Sequence, residues 1–456
     1  MSARHIALNR FGLGARAGER GPADAREWLL AQVEGEPPRL AGPAPTLAEV
    51  SEVYREQISA IRAQDRARLA SSGRRVGVLA ARELTGVLTT RITSERPFAE
   101  RWVAFWSNHL CVSSSAGLRV VALAGHYERE AIRPHVFGPF EALLLASARH
   151  PAMLAYLDNA QSIGPGSPAA RRGARGERGP RGLNENYARE LLELHTLGVD
   201  GGYDQEDVVQ LARILTGWTV SGLGGPLDRG TGTIGFRFVP LVHEPGSKQV
   251  LGVRYAEEGE REGVEVLRAL ARHPATARHL ATKLVRHFVS DDPDPADVQR
   301  VARTWQETHG DLRRVAAALV ALDSAWAPGS RKFRTPQDWL VAMFRALGAT
   351  EVPPTVGQVL RQLNHQPWAP PAPKGYGDLA REWADPDALM NRAELARSVA
   401  DRLMRDRRAA RLDPRVLADV MPLKADDPLP ALLGDAAIPV AERVALAFAG
   451  PAFQWR

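Results

Sequence analysis

Over most of its length this chain spaces apolar residues at intervals of three and four, the period of an amphipathic helix, and that pattern constrains its fold most strongly. Ala, Leu, Arg and Glu dominate the periodic segments, and all four are good helix formers. Helices are expected near 23–34, 46–70, 76–93, 97–110, 119–132, 139–148, 184–197, 204–216, 257–271, 274–289, 295–308, 311–323, 335–347, 355–363, 387–407, 414–421 and 439–449. The fold class is therefore mostly α, a large multi-helix globular unit. Between 233 and 254 the apolar residues alternate instead, around a Glu244-Pro-Gly-Ser turn, which predicts a small β-hairpin insertion with His243 at its tip.

Proline and glycine mark seams at 35–45, 160–183, 221–232 and 366–377, none of them a long linker, and there is no solenoid-type repeat. The expected organisation is a main helical domain over 1–330, carrying a flexible basic loop at 164–183 and the hairpin, with a helical lobe over 331–456 packed on it. A hydrophobic share of 44% and a charged share of 25% suit a folded globular chain. No apolar run approaches the roughly 18 residues of a spanning helix, and no signal segment opens the sequence, so no membrane insertion and a cytoplasmic location are expected.

Of the net charge of +6, residues 171–181 supply four, with five arginines against Glu177. The remainder is close to neutral, which argues against nucleic-acid binding and for an exposed loop. The single cysteine, Cys111, excludes an internal disulfide and a thiolate-rich metal cage, so any metal needs His and carboxylate ligands. Cys111 itself reads as a packed small side chain.

The richest polar segment is Asn184-Glu-Asn-Tyr-Ala-Arg189-Glu190-Leu-Leu-Glu193-Leu-His195-Thr-Leu-Gly198. Asn184 is a candidate amino cap and Gly198 a candidate stop. At 100° per residue, Glu185, Asn186, Arg189, Glu190 and Glu193 share an arc of about 140°, opposite Tyr187, Leu191 and His195. One reading is an ordinary amphipathic helix with an Arg189–Glu193 pair and a core His195 whose nitrogens find backbone or carboxyl partners. The other is a polar cavity faced by Arg189, Glu190 and Glu193, with His195 reaching it from the helix shoulder. Trp102, Phe105, Trp106 and His109 form a second stripe on one helical face, and the position of His109 near a helix end favours its charged form. His126 and Glu130 stand four apart, and His243-Glu244 is an exposed donor pair at the expected hairpin tip. There is no phosphate loop, His-Glu-x-x-His motif, nucleophile elbow or dinucleotide fingerprint.

Several segments in order carry a family resemblance: Leu8-Asn-Arg-Phe-Gly-Leu-Gly14, Phe105-Trp-Ser-Asn-His109, Tyr127-Glu-Arg-Glu-Ala-Ile-Arg133-Pro, His150 to Asn159, the Asn184–Gly198 block, Lys283-Leu-Val-Arg-His287-Phe and Pro367-Trp-Ala-Pro-Pro-Ala-Pro-Lys-Gly375. Over nearly its whole length the chain resembles the bacterial family known as domain of unknown function eighteen hundred. That family brings no established reaction. Its genes often neighbour those of another uncharacterised family, number fifteen hundred and one, similar to alkaline-phosphatase-like proteins, so the resemblance implies a partner of that kind. The chain departs from the family pattern at His243-Glu244, where His-Asp is usual, and in the arginine-rich loop.

Two functions follow as expectations. One is an enzyme with a site built from His109, Arg189, Glu190, Glu193 and His195. A divalent zinc, iron or manganese ion would be held by His109, His195, Glu190 and His243, and would activate a bound water or dioxygen. Without a metal, the same groups suit general acid–base chemistry. The other is a non-catalytic binding or maturation partner of an alkaline-phosphatase-like protein.

Overall fold

The helices fall where the periodicity puts them. The computed structural model describes every residue except 1, 20, 174–181, 225–227, 229, 328 and 406–412. Its longer helices include Ala25–Glu34, Leu47–Arg62, Arg66–Thr93, Pro97–His109, Phe140–Arg149, Gln205–Leu215, Glu260–Arg272, Pro274–Phe288, Pro295–Glu307, Pro336–Ala346, Pro386–Arg405 and Val440–Ala449. Many begin on a side-chain cap: Asp24, Thr46, Asp65, Asp204, Asp294 and Thr335 each accept a first-turn N–H. One break is displaced. The pattern predicts it between 70 and 76, but it falls at Gln64, which takes φ 53°, and Asp65 caps the 28-residue helix that follows.

Among the described residues, four short strands interrupt the helices. β1 (Trp218–Ser221) pairs antiparallel with β2 (Gly235–Phe238), and β3 (Lys248–Val250) with β4 (Val253–Tyr255). The small hairpin is β3–β4, turning at Leu251 and Gly252, both at positive φ as a tight hairpin turn requires. β2 reaches back to β1 instead. His243 therefore lies between the two sheets and is buried, not at an exposed tip. Its Nδ1 meets the Thr216 carbonyl at 2.7 Å and its Nε2 meets Glu262 at 3.1 Å, while Lys248 holds the other Glu262 oxygen at 2.9 Å. Glu244 turns back to accept the Gly166 N–H at 2.6 Å. Of the basic loop, Pro168–Gly173 is a short helix, and 174–181 lie outside the described residues.

Apolar side chains bury in two clusters. The first draws on residues from Ile6 to Ala325 around the aromatic rings of Phe11, Phe98, Trp102, Trp106 and Phe288. The second gathers residues 339–453 with Leu8, Leu13, Leu84, Leu88 and Ile92. The amino-terminal motif is shared, since Ala7 and Phe11 enter the first cluster and Leu8 and Leu13 the second. Among the described residues, no helix is long and apolar enough to cross a membrane.

Candidate active site

The ends of the Asn184–Gly198 block fall slightly inside the expected ones. Asn184 Oδ1 accepts the Asn186 N–H at 2.9 Å, but the N-cap position is Glu185, and the helix ends at His195 with Thr196 as its C-cap, two residues before Gly198 at φ 84°. Between them, Asn186–Glu190 is α-helical and Leu191–His195 widens into a π turn. Tyr187, Leu191, Leu192 and His195 are buried, whereas Arg189, Glu190 and Glu193 are half-buried on the other side. Arg189 pairs with Glu185 at 3.5 Å and with Gln205 at 2.8 Å, not with Glu193, because the π turn takes residue 193 out of the i+4 alignment.

His109 and His195 do come together. Their ring centres are 6.4 Å apart, and His109 Nε2–H donates to the His195 carbonyl at 3.2 Å. His279 joins them, 6.3 Å from His109, with its Nε2–H donating to the Leu194 carbonyl at 3.3 Å. The expectation of a charged His109 is overturned: burial, then the positive field of Lys283, push it well below the usual histidine range. The same two causes bring His195 down to about 3. His195 is not the partnered core histidine expected either: among the described residues, neither ring nitrogen has a hydrogen-bond partner, and His109 Nδ1 and the Tyr187 hydroxyl have none.

The acids do not join these imidazoles. Burial and the Glu193 charge raise the Glu190 carboxyl, and both acids act on Tyr203 rather than on the histidine rings. His243 is committed to Thr216 and Glu262. His126 bonds to His150 at 3.0 Å and Glu130 to Arg129 at 2.5 Å, so that expected pair does not form. Among the described residues, no group of three or more His, Cys, Asp or Glu side chains is placed to hold a metal ion. His109, His195, Glu190 and His243 do not converge as a ligand set.

A different set converges where the two apolar clusters meet, around a cavity of about 80 Å³. One wall is the end of the Pro97–His109 helix, and His287 comes from the Pro274–Phe288 helix. The facing wall is the start of the Pro336–Ala346 helix and a proline-rich strap over 365–378. The strap is laced to the residues after the first helix: Ser114 N–H donates to the Trp368 carbonyl at 2.7 Å, Ser113 to Pro370 at 2.7 Å and the Cys111 thiol to Pro373 at 3.1 Å. Asn108 then exchanges two hydrogen bonds with the Tyr376 backbone, at 2.8 and 2.9 Å. Trp368 takes φ 54°, a strained conformation for a large residue, and its indole N–H donates to Glu128 at 2.9 Å.

The arginines beside the cavity are bound by shared carboxylates. Arg133 binds Glu100 through two hydrogen bonds, 2.8 and 2.9 Å, and shares Glu128 with Arg91. Arg101 binds Asp338 at 2.9 Å, and Arg456 approaches the same carboxylate at 3.4 Å. Burial alone would raise Glu128 and Asp338, but these guanidinium groups hold both below the usual carboxylate range. The amino-terminal motif supplies two further acceptors, with Gly12 O taking the Arg101 Nε–H at 2.7 Å and Arg10 O an Arg456 N–H at 2.9 Å.

His287 lies between these pairs. Its Nδ1 contacts Asp378 Oδ1 at 2.6 Å, and its Nε2 is buried with no hydrogen-bond partner among the described residues. Burial opposes the Asp378 charge, but the His287 ring and Lys332 bring the carboxyl down to about 2. An ionised carboxylate only accepts, so Nδ1 carries the proton and Nε2 keeps its lone pair. Burial outweighs the pull of Asp378 and holds His287 below the usual histidine value, so the ring is neutral at neutral pH. Cys111 also lines the cavity, but burial pushes its thiol up to about 12, which leaves no thiolate nucleophile.

Reading local groupings of polar residues missed His287, Asp338, His365 and Asp378. His287 and Asp378 are 91 residues apart, beyond any helical spacing rule. A signal was nonetheless present, because the segments that carry the family resemblance place Ser107, Asn108, Glu128, His287 and Trp368 in this one cavity. No curated protein and no solved structure matches the chain significantly. The family described as "Protein of unknown function (DUF1800)" matches residues 6–455, and the chain belongs to that family.

Proposed function

We propose that this protein is an enzyme of the His/carboxylate type, working by general acid–base chemistry with His287 as the base and Asp378 as the residue that orients it. The cavity would then lie at the seam between a main helical body (1–330) and a carboxy-terminal lobe (331–456). One observation carries the reading: an imidazole lining the cavity has one nitrogen fixed on a carboxylate and the other, a buried atom, without a hydrogen-bond partner among the described residues. In this scheme Nε2 takes a proton from the substrate, or from a water molecule that attacks it. The Asp378 carboxylate stabilises the resulting imidazolium, which then returns the proton to the leaving group.

Nitrogen-15 NMR of the histidines tests the ground state, with His287 expected as the Nδ1–H tautomer at pH 7 and an Nε2–H tautomer counting against the scheme. The purified protein should then be screened on ester, lactone and amide substrates. His287→Gln should lower any activity found by about 10²–10⁴-fold with the melting temperature unchanged. A non-catalytic partner of an alkaline-phosphatase-like protein would instead keep its function in that variant.

A further inference from the structure

Two histidines line the cavity, and their partners fix them in opposite tautomers. His287 gives its Nδ1–H to Asp378 and keeps a lone pair on Nε2. His365 does the reverse. Its Nδ1 takes the backbone N–H of Gln337 at 3.2 Å, and a backbone N–H can only donate. A neutral imidazole that accepts at Nδ1 carries its proton on Nε2.

The start of a helix sets this tautomer. Gln337 is the second residue of the Pro336–Ala346 helix, whose Thr335 cap takes the Asp338 N–H and leaves the Gln337 N–H in need of an acceptor. His365 supplies it. Its own backbone N–H is anchored on the Leu360 carbonyl at 2.9 Å, and its ring packs against Tyr376 at 4.3 Å and Trp383 at 4.7 Å. The residue is 7% exposed, and burial, the chief cause, brings the ring down to about 3, so it is neutral at neutral pH. The positive end of the helix also opposes a second proton. Among the described residues, the Nε2–H has no hydrogen-bond partner. Several other donors around the cavity are occupied: Ser107 and Trp368 on Glu128, Asn108 and the Tyr376 hydroxyl on carbonyls of the strap.

We propose that His365 is the oxyanion-binding residue of this site and that the substrate is a compact, uncharged acyl compound, with its carbonyl oxygen on His365 Nε2–H and the attacking water on His287 Nε2. The proton transfer rests on the acid–base reading above, but the oxygen-binding role of His365 does not require it. As the water oxygen bonds to the carbonyl carbon, a water proton passes to His287 Nε2 and the C=O π pair moves onto oxygen, where the His365 N–H meets the developing charge. Collapse re-forms the C=O bond, breaks the bond to the leaving group and returns the proton to that group from the His287 imidazolium. Glu128, Asp338 and Asp378 also line the cavity and favour an uncharged substrate over an anion. A single water needs roughly 10–15 Å³ by this measure, so 80 Å³ holds only a compact group.

The test uses the full chain with nitrogen-15-labelled histidines at pH 7, titrated with acetamide, which offers a carbonyl oxygen to one imidazole and an N–H to the other. His365 is expected as the Nε2–H tautomer, and its Nε2 signal should shift saturably with acetamide. His365→Asn keeps an acceptor for Gln337 but withdraws the donor, and it should bind acetamide at least tenfold more weakly. His365→Gln keeps an N–H near the Nε2 position and should bind within a few-fold of wild type. On any ester or lactone that the protein hydrolyses, His365→Asn should lower kcat by about 10²–10³-fold with KM little changed. The proposal is overturned by an Nδ1–H tautomer of His365, by acetamide that leaves its signal unmoved, or by a His365→Asn variant that binds acetamide or turns over substrate as well as the wild type. The wild-type tautomer and titration decide the matter even if His365→Asn fails to fold. An Nε2–H tautomer of His287 would defeat the base reading alone and leave the acetamide result at His365 standing.

Discussion

Single side chains set the pH behaviour of this protein, because several histidines are buried in neutral form. His195 and His365 lie at about 3 and His126 and His279 at about 4, in each case chiefly through burial. Above the ordinary value of 6.5, neither folded nor unfolded chain protonates these rings, and their contribution is constant. As the pH falls below 6.5, the unfolded chain takes up protons that the fold refuses, so stability drops until the folded values are reached. Each such ring contributes a slope of about 1.4 kcal/mol per pH unit within that window. Denaturant titrations of wild type and His195→Gln between pH 6 and 4.5 should show the variant losing stability less steeply by about that amount. Equal slopes would mean that His195 is protonated in the fold. The identity of this histidine as a buried residue was legible in its helical phase; its lack of partners was not, since that depends on side chains brought from the Pro97–His109 and Pro274–Phe288 helices.

Among the elements, the departures from regular geometry carry most of the information. Ala7–Phe11, Glu128–Ile132 and Leu191–His195 are all π turns, and each overlaps a segment that carries the family resemblance. A π turn spends one extra residue per turn and re-aims the side chains that follow it, which is why 3.6-residue phasing placed the buried face of residues 185–195 correctly and yet mispaired Arg189. The strap over 365–378 is the other such element. Gly375 has φ 79°, and a Cβ there would come within 2.4 Å of the Asn108 carbonyl. Gly375→Ala should therefore lift the strap from its helix, cost about 1–3 kcal/mol in urea unfolding and displace Asp378 from His287. The same NMR experiment would register this as loss of the hydrogen-bonded Nδ1–H signal. If stability and signal are both unchanged, the strap does not position the base.

At the scale of the whole molecule, the two apolar clusters are joined by the shared 7–15 segment and by buried charge. Glu128 receives Arg91, Arg133, Ser107 and Trp368. Glu128→Gln removes the negative charge from between two buried guanidinium groups, and the expected cost is about 3–5 kcal/mol. Because Trp368 belongs to the strap, the loss should appear equally in circular dichroism and in tryptophan fluorescence. Two separated transitions would show that the clusters unfold independently. The amino-acid sequence by itself determined the helical class, nearly every helix, the presence of a small β insertion near 233–254, the buried faces and the family, because periodicity, capping and turn chemistry are local and are written within a few residues of one another. Only the tertiary structure decided which polar groups meet. It drew His243 into an ion-pair network, separated Glu190 and Glu193 from the histidines, and set His287 against Asp378 across 91 residues of chain. Those contacts depend on the packing of distant helices and on a strap whose prolines leave no periodic trace.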